Sequence, residues 1–129
     1  MDKAQLHMQY YGALTLLIQD HVGGLQIDLG NNTWIDIISD HYDFVVNLGD
    51  LMKIWTNNRF KSTRHRVINP RNKKESQRRQ SIAFFYHLNA NALVETIPSC
   101  LINGTSNYEP IIFSDLWTKL VLSARPKET

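Results

Sequence analysis

Short β-type runs, broken every few residues by turn formers, fill the first hundred positions and restrict the folds open to this chain. The runs cover 13–19, 25–29, 34–38, 44–48, 63–68, 81–88 and 93–97. Between them lie Gly23-Gly24, Gly30-Asn31-Asn32, positions 40–43, Asn57-Asn58, positions 69–77 and positions 89–91, all rich in residues that end regular structure. Leu25-Gln26-Ile27-Asp28-Leu29 alternates apolar and polar side chains, which predicts one buried face. The following Gly30-Asn31-Asn32-Thr33 offers residues that tolerate positive φ and predicts a tight reversal. No long helix-period segment separates the runs, so a parallel sheet with crossover helices is excluded and an antiparallel barrel or sandwich is expected.

Helix is expected in two places. Asp50–Thr56 is a short candidate with Asp50 as its cap, and Ser114-Asp115 precedes a terminal amphipathic helix ending near Arg125-Pro126. The division that follows is a barrel over 1–100 and an extension with a terminal helix over 101–129.

With 129 residues and 43% hydrophobic side chains the chain can build one core. A charged content of 20% and a net charge of +2 imply neither extended disorder nor a strongly polyanionic partner. Of the 14 Lys and Arg, nine fall between Arg59 and Arg79, but no nucleic-acid-binding signature accompanies them. A solvated hairpin beside a basic pocket explains the run better, and no nucleic-acid partner is expected. The single cysteine, Cys100, excludes an internal disulfide and a Cys-based zinc site, and its apolar neighbours predict burial. Apolar stretches such as Ala13–Ile18 are too short to cross a bilayer, and the opening residues lack a secretory pattern. A cytoplasmic protein is expected.

Four strings, LTLLIQDHVGGLQI, FVVNLGDLMKIWTNNRFKSTRHRVINP, RRQSIAFF and ALVETIPSC, follow one another in an order that resembles the isopenicillin N synthase-like family of Fe(II)/2-oxoglutarate-dependent dioxygenases. The resemblance runs from about Tyr11 to Cys100. It implies an all-β double-stranded β-helix, or jelly roll, incomplete at its N-terminal strand, with the short helix near 50–56 and the C-terminal helix. It also implies Fe(II) and 2-oxoglutarate, given an intact site, and a small organic substrate.

The family holds iron with two His and one carboxylate on one face of the ion, leaving positions open for co-substrate and oxygen. By resemblance, His65 is the distal histidine ligand, while Arg79 and Ser81 take the far carboxylate of 2-oxoglutarate. Their i, i+2 spacing puts both on one face of a strand, and a guanidinium can donate two parallel bonds to a carboxylate. The proximal pair departs from the pattern. Where the family has His-x-Asp ahead of the LTLL strand, this chain has Met8 and Tyr10. Neither replaces the hard donor it displaces. His7 lies one residue too early, on the opposite face of a regular strand; a bulge at 9–11 would bring it round as a second metal imidazole. The working reading is a 2-oxoglutarate-dependent dioxygenase, against a catalytically inactive fragment or binding module. A jelly roll lacking its first strand would also leave an edge open for pairing with another chain.

Overall fold

Each of the seven runs contains a strand, and two further strands join them. The computed structural model describes residues 6–8, 12–40, 42–68 and 78–124. In chain order the elements are β1 (Leu6–Met8), β2 (Leu14–Gln19), β3 (Leu25–Asp28), β4 (Trp34–Asp36), β5 (Val45–Leu48), α1 (Asp50–Trp55), β6 (His65–Val67), β7 (Ser81–Tyr86), β8 (Leu93–Val94), β9 (Ile111–Ile112) and α2 (Phe113–Ala124), with a 3-10 turn at Pro98–Cys100.

Every strand pairing is antiparallel. One sheet runs β1-β6-β3-β4, a second runs β5-β2-β7, and β8 pairs with β9. The first two sheets face each other across a shared cavity, to which β2, β5 and β7 contribute from one side and β3 and β6 from the other. This is the jelly-roll arrangement. The reversal between β3 and β4 has Gly30, Asn31 and Asn32 all at positive φ (89°, 51° and 58°), closed by Leu29 donating to the Thr33 carbonyl.

The apolar core lies at one end of these sheets. Ala13, Leu51, Ile54, Val94 and Phe113 are buried together, with Trp55, Leu88, Ala92, Tyr108, Ile111 and Leu116 packed against them. The terminal helix is tied to that cluster by Phe113, whose amide donates to the Ala92 carbonyl. Asn57, at φ 50°, locks the turn after α1 to the same region. Its Nδ2 donates to the Cys100 and Thr105 carbonyls, and its Oδ1 accepts from both Asn107 nitrogens. Cys100 is buried, as its neighbours predict.

One expectation is corrected. Asp50 does not cap α1: Gly49 occupies the cap position without a side-chain bond, and Asp50 is the first helical residue, itself buried. On β7, Phe84 and Tyr86 are 60% and 49% exposed. The reason is topological. Among the described residues β7 is an edge strand with a neighbour on one side only, and no element covers its outer face.

Candidate active site

The β2–β7 ladder builds the site. Gln19 pairs with Ser81, Leu17 with Ala83 and Thr15 with Phe85. Alternation turns all six to one side of the sheet, and all but Gln19 line the cavity between the sheets, where Leu25 and Ile27 of β3 and His65 and Val67 of β6 meet them. The cavity is about 480 Å³. Its lining holds Arg79, Lys61 and His65 and, among the described residues, no carboxylate. Such a cavity favours an anion.

Arg79 and Ser81 come together as their spacing predicts. The Arg79 Nη1 donates to Ser81 Oγ at 3.0 Å. Its Nε donates to the Gly23 carbonyl at 2.8 Å, and Nη2 to Gln19 Oε1 at 3.1 Å. All three partners are neutral, so the guanidinium is aimed without its charge being cancelled. The Gly23 carbonyl is presented by a turn in which Gly23 and Gly24 sit at φ 77° and 91°. A side chain at Gly24 would place its Cβ 2.5 Å from the Ile68 carbonyl oxygen.

Asp20 closes the back of this end of the site. Its carboxylate accepts from the Gln80 amide at 2.5 Å and the Val22 amide at 3.1 Å. The Gln80 bond foremost, then the Val22 bond and the nearby Arg79 charge, hold its pKa below the ordinary carboxylate value. The same bonds fix the chain just before Ser81.

His65 lies on β6 facing the cavity, half-buried, with Nδ1 3.4 Å from the Thr63 carbonyl. A proton on Nδ1 directed at that carbonyl leaves the Nε2 lone pair as an acceptor. The β1–β6 register puts Met8 opposite His65 and His7 opposite Arg66. Position 8 therefore shares the His65 side of the sheet, and position 7 falls on the other. Tyr10 and the proposed bulge at 9–11 lie outside the described residues, as does the hairpin at 69–77. Among the described residues no three His, Cys, Asp or Glu side chains converge as a metal site. Among the described residues, the donors do not complete the facial set that ferrous iron requires.

Two cavity-lining polar atoms, Thr15 Oγ1 and Asn47 Nδ2, are buried without a hydrogen-bond partner. They are register partners across β2 and β5. Gln19 is the site residue that the sequence reading missed. No sequence signal marks it, because an amide at the end of the LTLLIQ strand has no distinguishing chemistry before its distant partners are in place.

The model of the 2OG-Fe(II) oxygenase superfamily matches residues 7–88. The chain belongs to this superfamily. Among its relatives, a 2-oxoglutarate-Fe(II) type oxidoreductase, hxnY, of Emericella nidulans is 41% identical over 82% of this chain. A tomato (Solanum lycopersicum) 1-aminocyclopropane-1-carboxylate oxidase is 35% identical over 95% of it. Among solved structures, Neurospora crassa T7H in complex with alpha-KG superposes with a TM-score of 0.81 at 33% identity, covering 94% of this chain. The same protein with alpha-KG and thymine gives 0.83 at 35%. The chain spans 30% of hxnY, and 37% of both the tomato oxidase and T7H. Ferrous iron and 2-oxoglutarate are the metal and co-substrate of the superfamily. No helix among the described residues is long and apolar enough to cross a membrane.

Proposed function

We propose that this chain is the co-substrate-binding part of an Fe(II)/2-oxoglutarate-dependent dioxygenase acting on a small organic substrate. The observation that carries this reading is the Arg79 guanidinium, held by three neutral partners at the edge of a cavity that has no carboxylate among its described lining residues. Arg79 and Ser81 take the distal carboxylate of 2-oxoglutarate, the guanidinium through paired charge-assisted bonds and the hydroxyl as a further donor. The overall conversion joins oxidation of the substrate to conversion of 2-oxoglutarate and oxygen into succinate and carbon dioxide. His65 is the imidazole offered to the metal. His7 joins it only through a bulge in the 9–11 segment, because the β1 register otherwise sets it on the far face. Cytoplasmic placement belongs to the same proposal, resting on a chain with a single cysteine and so no internal disulfide.

The Met8–His65 register favours a second reading, a relative that binds 2-oxoglutarate and does not turn it over. Titration calorimetry and a succinate assay with added Fe(II) and ascorbate, on the wild type and Arg79→Ala, separate the two. Losing hydrogen bonds to a charged group costs about 1.5–3 kcal/mol, so Arg79→Ala weakens binding by about 10- to 150-fold. Binding with succinate supports the oxygenase, binding without it supports the silent relative, and no binding to the wild type rejects both.

A further inference from the structure

We infer that Gln19 is a positioning residue that selects for a second carboxylate on the keto acid, an inference resting on the Arg79 reading above. Gln19 is 4% exposed, and its amide is used on both sides. Nε2 donates to the Ile37 carbonyl at 3.2 Å and to Ser39 Oγ at 3.0 Å. Two acceptors on the nitrogen fix which way the amide faces, so Oε1 must point at Arg79, where it accepts from Nη2 at 3.1 Å.

The chain of contacts therefore runs from the loop after β4, through Gln19, to the guanidinium. Gly23 and Ser81 hold the other two nitrogens. A planar fork pinned at three nitrogens presents its remaining N–H groups in one orientation, which reduces the ordering a bound carboxylate must impose.

The amide is the side chain that suits this task. A carboxylate at position 19 would hold Arg79 as firmly, and would also cancel the charge that draws in the ligand. An apolar side chain would leave Nη2 without its acceptor. Gln19 orients Arg79 and leaves its positive charge to the ligand. Asp20, near enough for its charge to be felt by Arg79, is turned to the Gln80 and Val22 amides. The neutral member of the Gln19-Asp20 pair faces the guanidinium.

The test compares 2-oxoglutarate with 2-oxopentanoate, which carries a methyl group in place of the distal carboxylate. Both are titrated into the 129-residue chain, and the ratio of their affinities is the readout. Wild type prefers the diacid by about tenfold or more, the order of one charge-assisted contact. Gln19→Met lowers the ratio, and Gln19→Glu lowers it further, while affinity for 2-oxopentanoate stays at the wild-type level in both. A purely structural Gln19 would weaken both ligands together and leave the ratio unchanged, and that result overturns the inference. Should both variants melt below the assay temperature, Ser39→Ala carries the test, because it removes one of the two acceptors that orient the amide. It should lower the same ratio to a smaller degree, and an unchanged ratio again overturns the inference. A wild type that does not distinguish the two acids overturns the Arg79 reading itself.

Discussion

Replacing Asn57 with alanine should be among the most damaging single changes in the chain. The residue is 3% exposed and sits at φ 50°. Alanine removes two donations, to the Cys100 and Thr105 carbonyls at 3.2 Å each. It also removes two acceptances from Asn107, at 2.9 and 2.8 Å. At a net value of about 1 kcal/mol for a typical bond, with some of the freed groups reaching water, the loss is about 3 kcal/mol. The left-handed backbone, which Asn visits and Ala resists, adds about 1 kcal/mol. Asn57→Ala should therefore cost about 4 kcal/mol, a large share of the 5–15 kcal/mol typical of a folded domain. Asn57→Gly loses the same bonds without that steric penalty, and should come out about 1 kcal/mol less damaged than the alanine variant. Urea unfolding followed by circular dichroism gives all three values. An alanine variant within about 1 kcal/mol of wild type would refute the hydrogen-bond reasoning. Equal losses for alanine and glycine would refute the backbone part alone.

Gly24→Ala forces a Cβ to 2.5 Å from the Ile68 carbonyl at a backbone φ of 91°. It should destabilise by at least about 1–2 kcal/mol and, by shifting the Gly23 carbonyl away from Arg79, weaken 2-oxoglutarate binding as well. Unfolding and calorimetry together check both effects. Asp20 has a folded-state pKa below its ordinary 3.8. Its contribution to stability is therefore present above that value and lost as pH falls through the folded pKa. NMR titration should place its midpoint under those of ordinary carboxylates, and Asp20→Asn should flatten the acid limb of stability against pH. Ile82→Lys, at a position 75% exposed, should change stability by no more than about 0.5 kcal/mol. It should reduce self-association in light scattering, because a charge on an open edge strand discourages pairing.

How much of this was legible in the sequence depends on where the information sits. Seven strands fall inside longer runs of β-forming residues bounded by turn formers. Leu6–Met8 and Ile111–Ile112 lie in no such run, and each is a strand only because β6 or β8 pairs with it. The cap of α1 was displaced by one position because Gly49, with no side chain to bond, takes the place that the acidic residue advertises. The exposure of Phe84 and Tyr86 could not be read at all. An aromatic strand looks the same in sequence whether or not something lies over it. In the candidate site, Arg79 and Ser81 were visible through their resemblance to a family pattern, and their i, i+2 spacing placed them on one face of a strand. Gln19 was not, since an amide inside a strand carries no chemical signature until its partners, 18 to 60 residues away, are in place.

The uncovered β7 also bears on how this chain melts. Heat capacity and denaturant slope both scale with the apolar and total surface that unfolding newly exposes. A six-residue strand already in water on both faces, with Ile82, Phe84 and Tyr86 on its outer side, contributes little to either. Unfolding of the isolated 129-residue chain should therefore be shallow in urea, broad in temperature and weakly curved. Whatever comes to lie over that sheet should steepen the transition before it alters a single contact in the cavity.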